Sequence, residues 1–176
     1  GDTLPLTITG SDMLKPIIES LSVASSQVKS AILLAGLNTR GKTTIIEPYP
    51  TRDHTENLLS LFGAEISVEM DEGKKRVSLT GQPELIAQDI RVPGDFSSAA
   101  FPLVAALIIP GEGILMENIC LNQFRTGLID TLKEMGAIIR IENKKVLSGE
   151  QVGDIFVKFG PLRGVKVPSS RVPKMI

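Results

Sequence analysis

Ser25–Pro48 reads "SSQVKSAILLAGLNTRGKTTIIEP", and the way this stretch divides into elements decides the fold. Its centre, "GLNTRGKT" at Gly36–Thr43, satisfies every fixed position of the phosphate-loop pattern G-x-x-x-x-G-K-[ST]. A phosphate loop works because it follows a strand and opens a helix, so that backbone N–H groups and the helix dipole converge on the anion. Here the order is reversed. "SSQVKSAILLAGL" has hydroxyl caps and helical periodicity and comes first, while "TTIIE" is β-branched and is stopped by Pro48 and Pro50. Gly41 and Lys42 therefore read as a turn between helix and strand, and a nucleotide-hydrolysing fold is set aside.

The same order of elements recurs downstream. "SSQVKSAILLAGL" from Ser25 resembles "SSAAFPLVAALII" from Ser97, 72 positions on, and "GKTTIIEP" corresponds to "GEGILMEN". "LLSLFGAEISVE" around Gly63 resembles "TLKEMGAIIRIE" around Gly136, 73 positions on. Each copy predicts a helix opened by a Ser-Ser pair, a glycine turn, a strand, a second helix stopped at Gly63 or Gly136, and two strands. Leu58, Leu59 and Phe62 share one face of the second helix in the first copy. A short strand ending in Val-Pro, "DIRVP" or "GVKVP", is expected to close each unit. "LPLTITG" reads as the end of an earlier unit and "RVPKMI" as entry into a third helix. The fold class is thus α/β, built from βαβαββ modules of about 70 residues, too long for a solenoid repeat. The loop "VPGD" (Val92–Asp95) is the natural boundary.

Composition limits the function classes. The 176 residues are 42% hydrophobic, with 19 Lys and Arg against 20 Asp and Glu, a net charge of −1. That balance offers no electrostatic case for nucleic acid or an anionic membrane. The apolar runs, such as "VAALII", are too short to span a bilayer, and no signal peptide is visible. Cys120 stands alone, which excludes an internal disulfide framework and suits a reducing cytoplasm. Its apolar neighbours make it a buried small hydrophobe rather than a nucleophile. No Cys/His set has zinc-finger spacing, so no metal site is expected, and His54, the single histidine, reads as helix surface.

Differences between the copies point to function. Gln27 and Lys29 correspond to Ala99 and Phe101 when the Ser-Ser pairs are superposed. Gln27 beside Ser25 and Ser26 makes a polar cluster at the positive end of a helix dipole, suited to a phosphate or a polyhydroxylated ring. Arg52 in "TRDHTE" lies where the second helix begins, able to pair with a phosphate or carboxylate. Arg125 occupies the matching place, so a structural role for both is the competing reading.

"SSQVKSAILLAGLNTRGKTTIIEPYPTRDHTENLLSLFGA", "VPGDFSSAAFPLVAAL", "RTGLIDTLKEMGA" and "VPSSRVPKMI" together resemble the EPSP synthase family, and "TRDHTE" resembles its glyphosate-insensitive bacterial class. The likeness covers essentially the whole chain but only the middle portion of a family member. It implies the enolpyruvyl transferase fold, an inside-out α/β barrel of βαβαββ modules with helices inside and sheets outside. Residues 1–93, with one full module at 25–93, would belong to the first-substrate domain. Residues 94–176 would belong to the second. The implied reaction moves the enolpyruvyl group of phosphoenolpyruvate to the 5-hydroxyl of shikimate 3-phosphate, without cofactor or metal, in a cytoplasmic, monomeric parent enzyme. Ser25 and Ser26 would hold the 3-phosphate, Gln27 would contact both substrates, and Arg52 would contact shikimate 3-phosphate. The family's catalytic residues are expected outside this chain, including an acid just after "P-x-M-I", and its partner is the remainder of the same polypeptide. These residues alone are then expected to be inactive. Two alternatives are a relative of the UDP-N-acetylglucosamine enolpyruvyl transferases and a non-catalytic substrate-binding fragment.

Overall fold

The computed structural model describes residues 3–175. The chain forms two compact units, one comprising the residues up to Tyr49 with Ala64–Glu84, the other Pro50–Gly63 with the residues from Leu85 onward.

In chain order the elements are β1 (Ile18–Ser20), α1 (Ser26–Leu37), β2 (Lys42–Glu47), α2 (His54–Leu61), β3 (Ile66–Asp71), β4 (Lys74–Thr80), α3 (Phe96–Ile108), β5 (Ile114–Cys120), α4 (Gly127–Glu134), β6 (Ile138–Leu147) and β7 (Glu150–Lys158). A 3₁₀ turn at Ser169–Lys174 follows. The first βαβαββ order is complete, and β1–β4 form one sheet in the order β1-β2-β4-β3. β1 runs parallel to β2, whereas β2 and β3 are both antiparallel to β4. The second sheet has the order β5-β7-β6.

The stretch Gly36–Thr43 is a helix-to-strand turn. α1 ends at Leu37 with Asn38 as its C-cap, Gly41 has φ +113°, and β2 starts at Lys42. Two bonds pin this turn to the end of β4: Gly81 N–H donates to Gly41 O and Gln82 N–H to Leu37 O, both at 2.8 Å. The approach is so close that a Cβ on Gly81 would stand 1.8 Å from the Thr39 carbonyl oxygen.

Leu33 of α1 packs into a core with Ile45, Val77 and Leu79, all at 0% exposure. Ile45 and Val77 are cross-strand partners. Beside them lies a buried charge cluster. Lys29 Nζ is 3.2 Å and Lys75 Nζ 3.9 Å from Glu47 Oε2, with Lys29 and Glu47 fully buried. Glu47 and Lys75 face each other in register across β2 and β4. Such a cluster persists because desolvated charges require opposite partners.

The core of the second unit joins Phe96, Leu103 and Leu107 of α3 to Ile129 and Leu132 of α4 and to Ile155 and Val157 of β7. Of the α2 face expected to be apolar, Leu59 is buried but Leu58 is exposed.

Several sequence expectations are corrected. "DIRVP" forms no strand. The place that β1 takes beside β2 is reduced here to one parallel bridge, Gly94 to Ile119, carried by Gly94 N–H to Asn118 O and Cys120 N–H to Gly94 O, both 2.9 Å. Pro93 has no N–H to extend that ladder. "GVKVP" is likewise irregular, as is "LPLTITG", and "RVPKMI" forms a 3₁₀ turn rather than an α-helix; Ile176 lies outside the described residues. The helix register also differs from the Ser-Ser superposition. α3 begins two residues earlier in its copy, with Asp95 as N-cap, so Ser25 matches Asp95, Lys29 matches Ala99 and Leu33 matches Leu103. Both members of each of the latter two pairs are buried.

Three substitutions test this frame. Gly81→Ala forces the Thr39 carbonyl away and should cost at least about 1–3 kcal/mol, whereas Gly10→Ala, with nothing within 4 Å, should leave the urea midpoint within about 0.5 kcal/mol of wild type. Glu47→Gln removes the carboxylate that the Lys29 and Lys75 ammonium groups share, and a loss of about 3–5 kcal/mol is expected in the same denaturation series.

Candidate functional site

Three of the four expected binding residues come together at the start of α1. Ser25 is the N-cap, with extended backbone, and its Oγ accepts from Val28 N–H at 3.3 Å. The Ser25 and Ser26 hydroxyls each donate to Gln27 Oε1 at 3.3 Å. The serines are half-buried and Gln27 is exposed. The first turn carries no acidic residue, so hydroxyl, amide and dipole all favour an approaching anion or polyol. A cleft of about 440 Å³ reaches Ser25, lined by Ile17, Leu21, Val28 and Ile32 and also by Glu19 and Ser22. Lys29, one turn on, points away into the buried pair with Glu47 and takes no part in this cluster.

The corresponding end of α3 is already filled by a carboxylate. Asp95 accepts from Ser97 N–H at 3.2 Å, from Ser98 N–H at 2.9 Å and from the Ser98 hydroxyl at 2.8 Å. Arg125 pairs with Asp95 at 3.4 Å and also donates to Ser97 Oγ. The Ser98 hydroxyl and backbone bonds hold the Asp95 carboxyl below the usual carboxylate range, with Arg125 contributing. The second Ser-Ser pair is therefore not the cap. Asp95 and Arg125 form an internal substitute for a bound anion.

Arg52, the fourth expected residue, belongs to the other unit. It is half-buried and lies two residues before α2, as Arg125 lies two before α4. Asp53, the N-cap residue of α2, accepts from Asn122 Nδ2 at 2.6 Å. His54 is not plain helix surface: its Nδ1 is 2.8 Å from Glu150 Oε1, and Asn57 Nδ2 donates to the same oxygen at 3.4 Å. Burial pushes the Glu150 carboxyl up most strongly, but the bonds from His54, Asn57 and Asn122 and the attraction to His54 together outweigh it and leave the group below its ordinary value. Cys120 is buried at the end of β5, and burial pushes its thiol up. Glu150 had no sequence signal, because it meets His54 across 96 positions. Among the described residues no helix is long and apolar enough to cross a membrane.

The paired modules and the polar helix terminus define a class: an α/β repeat protein that presents a hydroxyl-and-amide site at the N-terminus of a helix packed on a sheet. The family model for EPSP synthase (3-phosphoshikimate 1-carboxyvinyltransferase) matches residues 1–176. The chain belongs to the EPSP synthase family. It is 57% identical over 177 residues to a 3-phosphoshikimate 1-carboxyvinyltransferase of Chelativorans sp. strain BNC1, spanning 100% of this chain and 39% of the relative. The enzyme of that name from Gluconobacter oxydans is 55% identical, over 100% of this chain and 40% of its own length. An EPSP synthase structure from Acinetobacter baumannii superposes with a TM-score of 0.84 at 44% identity, covering 99% of this chain and 39% of that one. The fold is accordingly that of the enolpyruvyl transferases. The chain spans about two fifths of the length of the relatives it matches.

Asp95→Ala should lower stability by about 1 kcal/mol near neutral pH through loss of the cap. The sign with pH follows from linkage. The folded carboxyl lies below its ordinary value of 3.8, so its contribution is complete above 3.8 and disappears as pH falls through the folded value. Denaturation at pH 7 and pH 2.5 should therefore show the full wild-type advantage at the first and a smaller one at the second.

Proposed function

We propose that this chain is the part of a 3-phosphoshikimate 1-carboxyvinyltransferase that binds shikimate 3-phosphate. The parent enzyme transfers the enolpyruvyl group of phosphoenolpyruvate to the 5-hydroxyl, releasing phosphate. The observation that carries this reading is the Ser25–Ser26–Gln27 cluster at an N-terminus of α1 with no acidic residue in its first turn. Ser25 and Ser26 hold the 3-phosphate with the dipole of α1 behind them, because a dianion gains most where hydroxyls and helix N–H groups converge. Gln27 bridges the two substrates through its amide. Arg52 adds a guanidinium to shikimate 3-phosphate, a role that a lysine would fill poorly because the planar fork is lost. Within the parent, residues 1–93 belong to the first-substrate domain and 94–176 to the second. The enzyme works as a cytoplasmic monomer. The proton-transferring groups come from the rest of the polypeptide, so these 176 residues bind and position but do not catalyse.

In the longer enzyme, Ser26→Ala and Gln27→Ala should each weaken shikimate 3-phosphate about tenfold or more, the cost of one hydrogen bond to a charged group. Arg52→Lys should do the same. Calorimetric titration with shikimate 3-phosphate, UDP-N-acetylglucosamine and ATP checks the reading: tight binding of either nucleotide in place of shikimate 3-phosphate would overturn it. A polypeptide limited to these 176 residues should give no enolpyruvyl transfer in a phosphate-release assay.

A further inference from the structure

Three side chains that the transferase reading leaves unused meet within the second unit. His54 begins α2, Cys120 ends β5 and Glu150 begins β7. One nitrogen, one sulfur and one carboxylate oxygen from them all lie within 4.8 Å of one another. We propose that His54, Cys120 and Glu150 form a binding site for a divalent transition metal of the zinc type.

The spacing fits an ion. A tetrahedral centre with metal–ligand distances of about 2.0–2.3 Å places its ligand atoms about 3.3–3.8 Å apart. His54 Nδ1 is 2.8 Å from Glu150 Oε1 and Cys120 Sγ is 3.9 Å from Glu150 Oε2, so small side-chain rotations suffice. The donor set also selects the metal. Imidazole and thiolate favour zinc, cobalt and copper, whereas magnesium and calcium require all-oxygen sites.

The surroundings support the ligands. Asn57 donates to Glu150 Oε1 and, with Asn122, to Asp53 Oδ1, an outer layer of the kind that orients metal carboxylates. A groove of about 320 Å³ borders Glu150 beside Asp53, Asn57 and Asn122 and leaves that carboxylate open to solvent on one side. His54 is 41% exposed, which gives the ion an entry path. A bystander cysteine would sit wholly among apolar atoms; this one has its sulfur toward a carboxylate. Burial and the Glu150 charge raise the thiol, and binding releases its proton as the cation takes its place. The site would fasten the start of α2, two residues after Arg52, to the β5–β7 strand ends.

Cobalt titration of the tag-free, full-length polypeptide carrying these residues tests the site without substrate, independently of the transferase reading. The expected result is one equivalent of Co²⁺ bound with a thiolate-to-cobalt charge-transfer band, displaced by Zn²⁺ and absent in Cys120→Ser. His54→Gln and Glu150→Gln should weaken Co²⁺ at least about tenfold. Absence of the band in wild type, or His54→Gln binding Co²⁺ with wild-type affinity, overturns the proposal. Should Cys120→Ser fail to fold, His54→Gln at its half-exposed position still decides the question.

Discussion

The buried attraction between Lys29 and Glu47 sets the first unit in order. An ammonium and a carboxylate at 0% exposure tolerate almost no rotation of α1 over its sheet, because any movement would separate desolvated charges. With that rotation fixed, Leu33 enters the core one turn later. One turn earlier, Ser25, Ser26 and Gln27 are left at the rim. Lys75, opposite Glu47 in register, extends the constraint to β4, whose end holds the helix-to-strand turn through Gly81. A single charge cluster thus links helix orientation, sheet register and display of the polar terminus.

The two modules treat the N-terminus of the same helix in opposite ways. α1 is capped by a neutral hydroxyl with no acidic residue in its first turn, whereas α3 is capped by a carboxylate that Arg125 neutralises. An anion approaching α3 would meet Asp95 first. The repeat therefore preserves the scaffold while one copy leaves its helix end without a carboxylate and the other fills it with Asp95. Position +4 from the cap shows the same divergence. It is a buried, paired Lys29 in α1 and a small buried Ala99 in α3.

The second unit is held differently. Among the described residues its sheet lacks an extended parallel strand beside β5 and has only the Gly94–Ile119 bridge there. Asp154 of β7 accepts from Asn118 N–H at 2.8 Å and from Asn143 Nδ2 at 2.7 Å, tying together the two irregular points of the sheet. Asn118 and Asn143 both have φ near +50°, a conformation asparagine tolerates better than most residues. The bend at Asn118 precedes Cys120 and sets where its thiol emerges.

Much of the fold was legible in the sequence because local rules carried it. Helical periodicity, β-branched runs, the glycines at 63 and 136 and the repeat itself determined the module, and the helix-before-strand order was enough to reject a phosphate loop despite a complete pattern match. The family likeness likewise rested on residues in sequence. The sequence misled where a short match competed with helix geometry: the paired serines suggested a register two residues away from the one Asp95 imposes. Only the tertiary structure decided that Lys29 is a buried charge rather than a polar neighbour of Gln27, that "DIRVP" contributes no strand, and that His54, Cys120 and Glu150 share one place. The reason is physical. Caps and turns depend on neighbours a few residues away, whereas burial, ion pairing and convergence of ligand atoms depend on residues brought together from 18 to 96 positions apart.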